Sequence, residues 1–83
     1  GRLDYLANHP VAALVYRHRQ HVINLFIWPN TGNADQPLRA QLHQGYQVIH
    51  WAQADMNYWA VSDLNPADLR TFSERMREQV ATR

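Results

Sequence analysis

Runs of β-branched and aromatic residues alternate along the chain with short polar interruptions, a pattern typical of antiparallel β-strands. Four of these runs predict strands: Val11–His18, His21–Trp28, Tyr46–Gln53 and Met56–Asp63. A shorter run, Arg2–Leu6, precedes them. Only two residues separate the first run from the second and the third from the fourth. We therefore expect two tight antiparallel hairpins.

The last segment changes to a helical period. Asn65 and Pro66 are suited to the N-cap and to the first helical position. Asp68 can reach back as in a capping box, and Leu64 can pack on Leu69 as a hydrophobic staple. Apolar residues then recur at helical spacing, with charged residues elsewhere on the wheel. These apolar residues are Leu69, Phe72, Met76 and Val80.

The segments together predict the α+β class: an antiparallel sheet of four or five strands, built as a meander of hairpins, with one C-terminal helix packed on it. The segment Asn30–Gly45 is polar and rich in turn-forming residues. We interpret it as a flexible crossing loop in preference to a helical turn over Pro37–His43.

Both sides of the predicted sheet are apolar. Pairing of His18 with His21 would place Leu14 and Tyr16 on the side that receives the helix. The opposite side then carries a candidate partner-binding face. Its residues are Val15, Val22, Phe26 and Trp28. One helix cannot cover both sides, so two explanations stay open: a protein partner or second copy covers this face, or the sheet curls and buries it.

Length and charge limit the classes of function. The 83 residues, of 9.7 kDa, suffice for one domain, and 46% hydrophobic residues argue against disorder over the whole length. Eight basic and seven acidic residues give a net charge of +1. A nucleic-acid-binding domain usually concentrates Lys and Arg on one face, so no nucleic-acid partner is predicted.

Candidate chemistry is sparse. The chain has no Cys, and of its five His only His18 and His21 have useful local spacing, so we predict no metal and no cofactor. Neither a nucleophile–base pair nor a glycine-rich phosphate loop is recognisable, so we predict no catalytic residues and no enzyme. Four aromatic residues could form a stacking platform, but strand spacing favours core positions for them. They are Tyr46, Trp51, Tyr58 and Trp59.

Two strings in the sequence carry a family resemblance. VAALVYRHRQHVINLFIWP, and after a variable segment GYQVIHWAQADMNYWAVSDLNPADLRTF, resemble the C-terminal extracytoplasmic part of bacterial transmembrane anti-sigma factors, a family of transmembrane regulators. The most specific pieces are Val11–Tyr16, His21–Pro29 and Asn57–Asn65. Ala54-Asp55 departs from the glycine-containing turn that the family pattern leads one to expect.

The resemblance implies a topology. In that family a cytoplasmic N-terminal domain holds a sigma factor, one membrane span follows, and the periplasmic region ends in strands of this kind. We accordingly expect residues 1–83 to be a single extracytoplasmic domain and a fragment of a longer single-pass membrane protein. It would lie on the periplasmic side of the inner membrane, with the sigma factor bound by the N-terminal part and not by this fragment.

The function that the resemblance implies is that of a sensor or interaction domain in the regulation of sigma-dependent transcription. A second class of function stays open: a purely structural or dimerisation domain that senses no ligand. In either case a protein partner or self-association is expected.

Overall fold

The computed structural model describes residues 2–6, 9–30, 32 and 34–81, with residues 2–6, 9 and 10 described at the level of the backbone. Its elements in chain order are β1 (Arg2–Leu6), β2 (His9–His18), β3 (His21–Pro29), β4 (Gln36–His43), β5 (Tyr46–Gln53), β6 (Met56–Ser62) and α1 (Pro66–Ala81).

The strands form one antiparallel sheet in the order β1-β2-β3-β6-β5-β4. Four hairpins, β1-β2, β2-β3, β4-β5 and β5-β6, are joined in the middle by pairing of β3 with β6. The single helix packs on the half of the sheet that contains β4, β5 and β6. The predicted α+β class, an antiparallel sheet with a C-terminal helix on it, is confirmed.

One strand lies where a crossing loop was predicted, and it makes the described sheet six-stranded instead of four- or five-stranded. Gln36–His43 forms β4 and pairs with β5, with a register shift between Gln36 and Arg39. The segment is polar because β4 is an edge strand and is exposed along nearly its whole length. Backbone pairing to β5 holds it in place, so a strongly apolar side-chain pattern is not required.

The predicted register of the first hairpin is confirmed. His18 pairs with His21, and Ile49 pairs with Ala60 in the second hairpin. The first hairpin closes with one left-handed residue, Arg19, at φ 58°. The second closes with two, Ala54 at 51° and Asp55 at 63°. Two consecutive positive φ angles match a type I′ turn, whose twist suits a two-residue hairpin.

The helix begins as its sequence predicts. Asn65 Oδ1 accepts a hydrogen bond from the Asp68 backbone N–H at 2.9 Å, and the Asn65 side-chain amide donates to Asp68 Oδ2 at the same distance. The Asp68 carboxylate thus binds the cap side chain instead of the cap backbone N–H used in a standard capping box. Leu64 and Leu69 are both buried, as a hydrophobic staple requires.

The core lies between the helix and one face of the sheet. Its buried members are Ile23, Leu25, Ile49, Trp51, Tyr58, Ala60, Leu64 and Leu69. Phe72 extends it by an edge-to-face contact with Tyr16 of β2, with ring centroids 5.2 Å apart. Ser73 is also fully buried, and its hydroxyl donates to the Leu69 carbonyl at 2.9 Å. That bond allows a polar residue to lie on the buried stripe of the helix.

A candidate protein-binding face

The side of the sheet opposite α1 is called the open face here. Residues on this side alternate along each strand with the core residues. On the central strands β2, β3 and β6 they are Val11, Ala13, Val15, Arg17, Val22, Asn24, Phe26, Trp28, Asn57, Trp59 and Val61. On β5 and β4 they include Tyr46, Val48, His50, Ala52, Arg39, Gln41 and His43. No described helix or strand packs across this face.

All four residues of the predicted partner-binding face lie on the open face. Val15 is 65% exposed and Val22 is 37% exposed, whereas Phe26 and Trp28 are half-buried by their neighbours. The alternative explanation, in which the sheet curls and buries this face, applies to only some of its residues. Val48, for example, is buried although it lies on the open side.

Phe26 lies in a row of in-register residues that crosses the sheet, with Ala13 beside it on β2. Trp59 follows on β6, His50 on β5 and Arg39 on β4. His50 stacks on Trp59 with ring centroids 4.5 Å apart and an interplanar angle of 14°. Trp28 approaches Trp59 at 5.9 Å. Because His50 covers one face of the Trp59 ring, that face is closed to a flat ligand that would stack on it.

An apolar groove of about 390 Å³ lies at the centre of the open face. Its lining residues are Phe26, Trp28, Trp59 and Val61. None of these side chains is charged. The groove can therefore receive apolar side chains but offers no group that would orient a charged ligand.

A second, more polar cavity of about 330 Å³ adjoins the groove and shares Trp59 with it. Gln36, Arg39 and Asn57 contribute its polar side chains together with His50. Partial burial, and secondarily the positive charge of Arg39, lower the pKa of His50 below its ordinary value of 6.5. Neutral His50 is thereby favoured near neutral pH.

The sequence did not predict the participation of Trp59 and Val61 in the candidate site. Their strand was correctly placed in the second hairpin, but it pairs with β3 through residues that lie 27 to 39 positions apart in the chain, from Pro29↔Met56 to Ile23↔Ser62. Alternation places both residues on the side away from the helix. Only the strand order brings them next to Phe26 and Trp28.

The aromatic residues considered as a stacking platform are divided between the two faces. Trp51 and Tyr58 stack in parallel, 5.0 Å apart, but both are buried under the helix. Trp59 lies on the open face, and Tyr46 is exposed at the start of β5. The four side chains therefore do not form one surface.

The histidines are distributed along the sheet. His18 and His21 pair across the first hairpin turn, and His21 Nδ1 lies 3.0 Å from Asp63 Oδ1. His43 lies at the end of the edge strand β4. Within the described residues, no three His, Asp or Glu side chains are close enough to hold a metal ion. The side chain of His9 lies outside the described set.

A further cavity, of about 560 Å³, lies between the last turns of α1 and β5. Gln53 lies at its wall and donates to the Arg77 carbonyl at 2.8 Å. Glu74 and Glu78 line the same cavity from the helix. The Gln53 bond shows that this side fixes the helix to the sheet.

None of the helices in the described ranges has the length and apolar character needed to cross a bilayer. Comparison with known proteins found no matching family model, no similar curated protein and no similar solved structure.

Proposed function

We propose that this chain is an extracytoplasmic sensor or interaction domain of a transmembrane anti-sigma factor, and that it binds a protein partner through the open face. The observation that carries the proposal is an apolar sheet face left uncovered opposite the helix, with a groove lined only by Phe26, Trp28, Trp59 and Val61. Small monomeric domains rarely expose a large contiguous apolar surface unless it binds something.

The family resemblance in the sequence is concentrated in the strands that form the groove. Its three most specific pieces, Val11–Tyr16, His21–Pro29 and Asn57–Asn65, coincide largely with β2, β3 and β6. These strands are adjacent in the sheet, and they supply all four lining residues of the groove. A family pattern concentrated there fits a role in binding a partner as well as a role in folding.

The mechanism is a shift of populations. A partner that binds one conformation of the domain stabilises that conformation by its differential affinity. In a single-pass regulator, the membrane span would transmit the change to the end that holds the sigma factor. The domain itself performs no chemistry in this proposal.

The second candidate is a purely structural or dimerisation domain in the same membrane protein. The lack of charge in the groove favours it, because a sensor of a polar ligand would need oriented polar groups at its binding site. Both candidates use the open face, but only the first requires that a change on this face alters transcription.

Two substitutions in the complete gene product separate these candidates. Val15 and Leu42 are 65% and 67% exposed, and each lies on a strand. Val15 lies on the open face, whereas Leu42 lies on the opposite side of the edge strand β4. Val15→Glu should change expression of a reporter under the cognate sigma factor, and Leu42→Glu should leave it unchanged. Equal reporter activity in the wild type and both variants would contradict the sensor proposal.

Topology needs its own measurement. Alkaline phosphatase fused to the C-terminus of the complete protein should be active, because that enzyme matures only outside the cytoplasm. A green fluorescent protein fused at the same point should stay dark if it is exported unfolded. Fluorescence with no phosphatase activity would place the domain in the cytoplasm and contradict the extracytoplasmic proposal.

A further inference from the structure

We infer that the occupant of the open face is a second copy of this chain, packed sheet on sheet about a two-fold axis. The inference rests on the proposed function in taking the open face as the binding surface, and it names the partner. Size and shape each point to a second copy.

The size of the face matches what a stable interface needs. The two longer dimensions of the molecule are 35 and 26 Å, so one sheet face offers at most about 900 Å². A specific protein interface of standard size buries about 800 Å² on each partner. A second sheet would cover this area, whereas a single helix covers only one stripe of it.

The shape of the face suits an identical partner. Two β-sheets pack face to face most closely when they have the same hand and degree of twist, and that twist makes their strands cross at about −30°. A second copy meets this condition automatically. The two sheets would lie about 10 Å apart, with the open-face side chains filling the layer between them.

We place the two-fold axis parallel to the strands, and the strand order then determines which residues would meet. The sheet centre falls between β3 and β6, so a two-fold axis parallel to these strands lays β3 of one copy over β6 of the other. Phe26 and Trp59 occupy the same row on these strands. Phe26 of each copy therefore packs against Trp59 of the second copy, which closes the two grooves on each other.

The charged residues of the open face lie on its outer strands. Arg17 is on β2 and Arg39 on β4, and the backbone pairing of β1 places Arg2 and Asp4 opposite Ala13 and Val11. The two-fold axis lays Arg17 of one copy over β5 of the other, near Tyr46, and lays β1 over β4. The charged residues therefore meet at the edges of the interface, where solvent screens them, and not at its centre.

Sedimentation equilibrium of the 83-residue chain over a range of concentrations tests the inference. The wild type should approach twice its mass of 9.7 kDa. Val15→Glu should raise the dimer dissociation constant by about tenfold or more, since it brings an unpaired carboxylate to the interface. Leu42→Glu, equally exposed on the other face, should dimerise like the wild type. Circular dichroism should show the same fold in all three proteins.

Tryptophan fluorescence supplies a second measurement. Trp28 and Trp59 lie on the open face, whereas Trp51 is buried in the monomer. Emission should shift to shorter wavelength with rising concentration in the wild type and in Trp51→Phe. The shift should be smaller in Trp59→Phe, where Trp28 is the tryptophan left on the open face. A shift that survives in Trp59→Phe at wild-type amplitude would contradict the predicted central position of Trp59.

A wild type that stays monomeric at millimolar concentration would overturn the inference. So would a dimer that Val15→Glu leaves intact, or one that Leu42→Glu weakens as strongly. These results are independent of the reporter assay. A monomer in which Val15→Glu still changes transcription refutes the second copy only, whereas a dimer whose disruption leaves transcription unchanged refutes the sensor role only.

Discussion

His50 and Trp59 stack face to face across strands β5 and β6, with ring centroids 4.5 Å apart. The two residues are directly paired in the register of the sheet. Arg39, paired with His50 from β4, lies on the other side of the imidazole. A titratable ring is thus held between an aromatic surface and a fixed positive charge, in the row of residues that crosses the open face.

This arrangement predicts a pH dependence of stability. Burial and then Arg39 lower the pKa of His50 in the folded state below its ordinary value of 6.5. The unfolded chain then binds more protons than the folded chain as the pH falls through 6.5. The stability contribution is fully present above that pH, declines below it, and stops declining below the folded-state pKa.

Thermal unfolding of the wild type and of His50→Gln, measured from about pH 8 to about pH 5, checks this prediction. The melting temperature of the wild type should fall more steeply below pH 6.5 than that of His50→Gln. Arg39→Gln should have an intermediate slope because burial still acts on His50. A wild type that gains stability relative to His50→Gln in acid would mean that cation–π attraction by Trp59 dominates.

The turn between β5 and β6 predicts a stabilising substitution. Ala54 has a φ of 51°, a left-handed conformation that costs an L-residue about 1–2 kcal/mol. Glycine adopts it without that strain but loses about 0.5–1 kcal/mol through the greater freedom of the unfolded chain. Ala54→Gly should therefore raise the free energy of unfolding by up to about 1 kcal/mol.

Urea denaturation of Ala54→Gly and of a control, Ala40→Gly, measures the effect. Ala40 is exposed and lies in β4, where the strand conformation gives glycine no advantage. The control should lose stability while Ala54→Gly gains it. A loss in both variants would show that the left-handed φ at Ala54 carries little strain.

Local features of the fold were predictable because neighbours in the sequence determine them. The two-residue gap at Arg19-Gln20 set the register in which His18 pairs with His21. Asn65-Pro66 likewise predicted the start of the helix at Pro66, independently of the apolar residues that follow. In each case the deciding interactions lie within a few residues along the chain.

The edge strand β4 escaped prediction because its stability is non-local. The sequence of Gln36–His43 does not indicate a strand. Neither face of this edge strand is deeply buried, so its residues can be polar. Gln44-Gly45, with two left-handed φ angles directly before Tyr46, is a two-residue hairpin turn and was the usable signal. The neighbours of Trp59 depend on the β3–β6 pairing, which no local pattern contains.

The attachment of helix α1 to the sheet should depend more on Leu69 than on Phe72. Leu69 is fully buried in the core, whereas Phe72 is half-buried and contacts Tyr16 edge to face. Leu69→Ala should lower the free energy of unfolding by about 2–5 kcal/mol through lost burial and a cavity. That is a large part of the about 5–15 kcal/mol that stabilises a typical domain. Phe72→Ala should cost less because water already reaches part of the ring.

Thr71→Ala is the matched control on the same helix. Thr71 is exposed, and its hydroxyl only donates back to the Ala67 carbonyl at 3.1 Å. Such a bond adds little to helix stability, so the control should unfold at nearly the same urea concentration as the wild type. If Phe72→Ala costs more than Leu69→Ala, the contact with Tyr16 of β2, and not the staple residue Leu69, is the main attachment of the helix to the sheet.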